Sequence, residues 1–230
     1  MAQADIYMKQ KRHSDGFKIM GQQKPAEDVI EEIWITDDGF RSDNPRNSMI
    51  MLLDKKKIIM IDHGNKNYTE MPMDMGDMMS KIKKGKDDED AEAFQNMMNS
   101  MMKLEANVQI TSEKEKIKGW NCKKYILTLT TFMGPITKEI WATEELKIDM
   151  DLYAKFSSAM MAVMPGLQNA MSEMMKEMKK IEGVQVRTIS TQKIMNQTTT
   201  STTELLEFKD QKAPAGLFKI PQGYKQKKLE

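Results

Sequence analysis

Apolar positions recur along this chain with two periods, and the change from one to the other divides it. Period-two alternation and β-branched runs fill residues 5–70, 106–144 and 184–209, and helix-type spacing fills 73–104 and 151–181. The predicted order is β, α, β, α, β in one domain spanning 1–230, ending in a segment over 210–230. In the first stretch the pattern predicts strands near Ile6 to Arg12, Phe17 to Met20, Val29 to Thr36, Met49 to Leu53, Lys57 to Ile61 and Lys66 to Thr69. Turns are marked by Ser14-Asp15-Gly16, Asp37-Asp38-Gly39 and His63-Gly64-Asn65, where Gly and Asn tolerate the positive φ of tight connections. The result is a hairpin meander. Later strands are expected over Val108 to Ile117, Tyr125 to Phe132, Ile136 to Thr143, Val184 to Met195 and Thr198 to Phe208. In the second of these, Tyr125, Leu127 and Leu129 share one face, and Thr128 and Thr130 share the other, which is wet.

Both helix-period stretches are built on methionine. Phe94, Met97, Met98, Met101, Met102 and Leu104 lie three and four residues apart, behind an acidic start at Asp87 to Asp90 that suits the positive end of a helix dipole. The second stretch holds Met160 and Met164, is broken by Pro165-Gly166, and continues with Leu167, Met171, Met174, Met178 and Ile181 on one stripe. An echo between Glu32-Ile33-Trp34-Ile35-Thr36 and Glu139-Ile140-Trp141-Ala142-Thr143 ends one strand in each half with a Trp.

Composition changes this picture in one respect. Branched apolar residues and Phe are scarce enough to suggest disorder, but 25 methionines among 230 residues restore a core, made of flexible thioethers. Net charge is +1, from 35 basic and 34 acidic residues, and acids flank Lys55-Lys56-Lys57 and Lys81 to Lys86. Nucleic acid is therefore not an expected partner. No run of apolar residues is long enough for a transmembrane helix. Cys122 is the single cysteine, so an internal disulfide and a cysteine-based zinc site are excluded. Ala2-Gln3-Ala4-Asp5 reads as the small-residue tail of a cleaved leader, which makes the protein an exported one.

Candidate chemistry is sparse. The two histidines, His13 and His63, each sit beside a turn signal, and nucleophile-elbow, zincin and phosphate-loop motifs are absent. The expectation is a non-enzymatic protein without a cofactor. Methionine carries the functional signal in one of two ways. Met71, Met73, Met75, Met78 and Met79 form a thioether cluster with the softness of Cu(I) ligands. Alternatively, methionines give a surface that repacks around variable apolar ligands. The second reading follows from arrangement: a meander with one polar face needs cover on its apolar face, and two Met-rich segments are available. The expected class is therefore α+β, an incomplete antiparallel β-barrel whose concave face is covered by two helical segments. Its hollow would be lined by Trp34, Met97, Met98, Met101, Tyr125, Trp141, Met160, Met164, Met171, Met174 and Met178. A hydrophobic small molecule or lipid is the expected occupant. An envelope scaffold that offers its sheet edge to a partner is the remaining alternative.

Two motifs bear on kinship: Gly119-Trp120-Asn121-Cys122-Lys123-Lys124-Tyr125 opening a strand, and Phe218-Lys219-Ile220-Pro221-Gln222-Gly223-Tyr224 near the end. With Trp141 they resemble a family of exported bacterial proteins related to the LolA/LolB-like lipoprotein carriers. The resemblance implies a LolA-like half-barrel, a location outside the cytoplasm in the periplasm or medium, and a cavity for lipid or the acyl group of an envelope lipoprotein. Beside it stands a purely physical reading, in which Gly119 permits the turn and Cys122 is a small buried hydrophobe.

Overall fold

A computed structural model of the protein describes residues 5–19, 22–73, 105–131, 134–147, 168–194 and 197–227. The first half contains β1 (Ile6–Ser14), β2 (Phe17–Ile19), β3 (Gln22–Lys24), β4 (Glu27–Ile35), β5 (Gly39–Asp43), β6 (Asn47–Leu52), β7 (Lys57–Asp62) and β8 (Asn67–Pro72). The second half contains β9 (Glu105–Ile117), β10 (Trp120–Thr131), β11 (Gly134–Thr143), the helix α1 (Gln168–Met178), β12 (Val184–Ile194), β13 (Gln197–Asp210) and β14 (Lys225–Lys227). Twelve strands form one sheet in the order β14-β8-β7-β6-β5-β4-β1-β13-β12-β11-β10-β9, while β2 and β3 pair only with each other. The two halves join where β1 lies between β13 and β4, antiparallel to both.

This overturns the α+β half-barrel with two helical covers. The described residues are almost entirely strand, the sheet is open with β14 and β9 at its ends, and α1 is the one helix among them. The predicted helices at 73–104 and 151–181 fall largely outside the described residues, and only Gln168–Met178 of the second is seen as helix. Methionine spacing alone does not fix the element type, because the flexible thioether serves strands as well: Met8, Met49, Met51, Met60 and Met71 stand on β1, β6, β7 and β8, the first four of them in stretches where alternation predicts strand.

Turn chemistry also differs from expectation at the His63-Gly64-Asn65 turn. Positive φ falls on Lys56 (46°) and Lys66 (51°), at the ends of four-residue turns, rather than on Gly64 or Asn65. Between β9 and β10 the expectation holds: Lys118 (51°) and Gly119 (98°) form the two-residue connection whose twist matches antiparallel strands. The β4–β5 turn is closed by Thr36 Oγ1, which accepts from the N–H of Asp38 at 3.1 Å and of Gly39 at 3.3 Å.

Register assigns residues to faces, because directly paired residues point to the same side. One row runs Tyr7, Trp34, Arg41, Ile50, Ile59 across β1, β4, β5, β6 and β7. Residues 211–224 lie over this face as a strap. Phe218, Ile220 and Tyr224 pack on the cluster of Ile50, Leu52, Ile59 and Ile61, and β14 then adds in parallel to the edge of β8. Ile50 and Ile61 are 0% and 1% exposed, so this junction is a true core. Arg41 fastens the strap: Nη1 donates to the carbonyls of Leu217 and Lys219, while Nε and Nη2 hold Asp43 at 2.7–2.9 Å. The opposite sheet end, β9, carries the alternating run Glu113-Lys114-Glu115-Lys116.

Candidate functional site

The face opposite the strap is where methionine collects. Rows Phe40, Met51, Ile58, Met71 and Met8, Ile33, Ser42, Met49, Met60 lie on it side by side. At its centre, where β1, β13 and β12 run under the end of α1, is a cavity of about 690 Å³. Its apolar lining is Met8, Leu146, Met178, Ile181, Val184 and Leu205, and its polar lining includes Gln10, Glu144, Lys147, Lys179 and Glu182.

Helix α1 is held over the sheet by specific bonds. Glu177 Oε2 accepts from the backbone N–H of Val108 at 2.7 Å, and Tyr125 Oη accepts from the N–H of Glu182 at 3.3 Å. Met178 and Ile181 pack on Val108, Tyr125, Leu127, Ile140 and Ala142. The Lys180 ammonium and the Val108 amide both favour the charged form of Glu177, and they lower its carboxyl pKa. The chain leaves the helix through Gly183 (φ 85°), where an added Cβ would stand 2.0 Å from the Thr143 carbonyl oxygen. On the cavity floor Gln10 Nε2 donates to Glu31 Oε2 at 2.6 Å, and Ser42 Oγ donates to the other oxygen of Glu31. Lys147 and Lys179 have no acidic partner among the described residues.

The expected site residues separate. Met178 lines the cavity, whereas Tyr125, at 0% exposure, is not among the lining residues and belongs to the buried cluster on which Met178 and Ile181 pack. Met174 is on the same helix and half-buried, and Met171 is within it. Trp34 lies on the strap face, against Tyr7 with ring centroids 4.9 Å apart. Trp141 is in register with Lys124 and Arg187, whose charged groups stand 5.6 and 5.3 Å from its ring centroid, and so faces away from Tyr125. Met97, Met98, Met101, Met160 and Met164 lie outside the described residues. Of the thioether cluster, Met71 is on β8, Met73 is 2% exposed and packed with Met51, and Met75, Met78 and Met79 are outside the described residues. Sequence reasoning missed Met8, Gln10, Leu146, Val184 and Leu205. Met8 and Leu205 carried a signal, since each is an apolar residue on an alternating strand.

Two other groups carry side chains of catalytic type, His63 with Ser48 and Asp43, and Cys122. With a neutral ring, His63 accepts at Nδ1 from Tyr224 Oη (3.0 Å) and donates from Nε2 to Ser48 Oγ (2.7 Å), whose hydroxyl in turn donates a hydrogen bond to Asp43. The assignment follows from Asp43 being an acceptor only. It is a relay in form, but the carboxylate meets the serine rather than the histidine, and Ser48 is 1% exposed beneath the strap. Its effect is to tie β5, β6 and β7 to Tyr224. Burial pushes the Cys122 thiol upward, away from the reactive thiolate. Among the described residues no cluster of His, Cys, Asp and Glu has metal-binding geometry, and no helix is long and apolar enough to cross a membrane.

Comparison with known proteins gives a family. A solved structure titled "Structure of PNGF-II in C2 space group" aligns over 99% of this chain and 31% of that chain, at 15% identity and a TM-score of 0.39. This chain thus spans about a third of that one. No curated protein matches. The match to the family described as "Domain of unknown function (DUF4412)" runs over residues 19–224, from the β2–β3 hairpin through the strap, and the chain belongs to that family.

Proposed function

We propose that the protein is a non-enzymatic binding protein that holds an acyl chain in the cavity under α1. The observation that carries this reading is the lining: Met8, Leu146, Met178, Ile181, Val184 and Leu205 give a cavity of about 690 Å³ an aliphatic and thioether side, with charged and amide side chains on the other and no aromatic ring among the described lining residues. That volume is in the range of small-molecule sites, about 300–1,000 Å³. Flexible walls of this kind suit a flexible hydrocarbon better than a flat ring system. Lys147 and Lys179, which line the cavity beside Glu144 and Glu182 and have no acidic partner among the described residues, give an anionic head group a counter-charge. Each methylene buried would add about 0.8 kcal/mol. Kinship with exported lipoprotein carriers, and a location outside the cytoplasm, belong to the same proposal and rest on the Gly119–Tyr125 and Phe218–Tyr224 motifs.

The test is titration of the full chain with dansyl-labelled undecanoic acid. Saturable blue-shifted emission, abolished by Leu205→Trp and weakened by Lys147→Glu with Lys179→Glu, is expected. Saturation unaffected by Leu205→Trp would reject the cavity as the site.

A further inference from the structure

A second depression lies on the same face at the far end of β12 and β13, about 150 Å³ in volume and different in chemistry. Register places Ser14, Ser201 and Ser190 in one row across three adjacent strands, and Thr199 and Gln192 pair in the next. Their side chains are half-buried, not sealed. The hydroxyls of Ser14, Ser190 and Ser201 and the side-chain amide of Gln192 make no hydrogen bond to any described residue. At one side stand Asp15, whose N–H is fixed to the Thr200 carbonyl at 2.9 Å, and the ring of Phe17. Lys24 covers one face of that ring, 5.7 Å from its centroid.

We propose that this depression is a saccharide subsite. Strand spacing sets the three serine backbones about 4.8 Å apart, the scale of the separation of equatorial hydroxyls on alternate carbons of a pyranose ring. Hydroxyls and an amide both donate and accept, as a sugar's own hydroxyls require, and Asp15 adds an acceptor. Phe17 offers an apolar surface for the C–H face of the ring. Asp15 Oδ1 lies 3.5 Å from His13 Nε2 and Lys24 stands over Phe17, so the depression has acid and base on the same side, and its polar floor disfavours hydrocarbon. A neutral polyol ring with one apolar face satisfies every group present. The site is separate from the acyl cavity, so each proposal can fail alone.

The experiment is amide shift mapping by NMR on the full chain with glucose, galactose, N-acetylglucosamine and their β-linked dimers. At least one of these is expected to move the amides of Ser190, Gln192, Thr199 and Ser201 saturably while leaving those around Met178 in place. Phe17→Ala should weaken that binding about tenfold, the upper end of an aromatic contact. The paired change Ser190→Ala and Ser201→Ala removes only two oxygen atoms and so keeps the fold; it should weaken binding comparably, without altering the fatty-acid titration. Absence of shifts with all six sugars, or shifts that survive the serine pair unchanged, would overturn the proposal.

Discussion

Replacing Arg41 with Met removes a charge but keeps the length of the side chain, and the structure sets what should follow. The Arg41 side chain is 14% exposed and Asp43 31%, so the pair is neither sealed nor fully wet. Three bonds at 2.7–2.9 Å join them, and two more reach the strap at Leu217 and Lys219. A charge-assisted bond in a protein contributes about 1.5–3 kcal/mol, and partial exposure discounts the full cost of orphaning Asp43. We expect Arg41→Met to cost roughly 2–3 kcal/mol, a fall in Tm of roughly 4–12 °C for a chain of this size. Asp43→Asn added to Arg41→Met should cost less than the two changes summed, because the first has already removed the interaction that the second disrupts. Urea denaturation measures the total, and hydrogen exchange of peptides covering 215–224 locates it, since the strap should exchange faster while β10 and β11 do not. A loss under about 0.5 kcal/mol, typical of an unremarkable surface change, or a strap whose exchange is unchanged, would refute the assignment of Arg41 as its fastening.

Gly183→Ala forces a side chain into a left-handed backbone and against the Thr143 carbonyl; thermal denaturation should show a loss of roughly 3 kcal/mol or more. The lowered carboxyl pKa of Glu177 means that its contribution is fully present above the ordinary value of 4.5 and is lost as pH falls through the lowered value in the folded state. The Val108 amide resonance should therefore shift on acidification, and in Glu177→Gln that titration should vanish. Cys122, buried and with its thiol pKa raised, should react with a disulfide reagent at neutral pH only at the rate of unfolding. Fast labelling of the native chain would place the β10 start at the surface.

How much of this was legible in the sequence varied with the physics that fixed each element. Strands β1, β7 and β12 stand where alternation placed them, to within two residues, because burial on one or both faces writes the pattern directly. The helix α1 begins soon after Pro165-Gly166, as a breaker there predicts. Strand β5 was not legible: Gly39-Phe40-Arg41-Ser42-Asp43 holds one large apolar residue, and its polar members are satisfied by each other, by Glu31 eleven residues from Ser42 and by the strap far along the chain. Strand β14 has no apolar residue and exists through main-chain pairing to β8. The candidate cavity failed in the same way. Met178 announces itself by helical spacing, but Gln10 and Val184 join it only because β1 happens to pair with β13 and β13 with β12, a choice that local pattern does not encode.

The Glu113-Lys114-Glu115-Lys116 run on β9 has a consequence for crowded conditions. Two copies that extended the sheet antiparallel through this edge, keeping each face on its own side, would pair residues of equal parity. Glutamate would meet glutamate and lysine would meet lysine in every such register that overlaps the run. The Glu113–Lys116 part of the thirteen-residue β9 rim is thereby guarded against edge-to-edge pairing. Because exposed charges are screened within about 10 Å at 0.1 M salt, concentrated salt should be the condition that first lets this rim template aggregation.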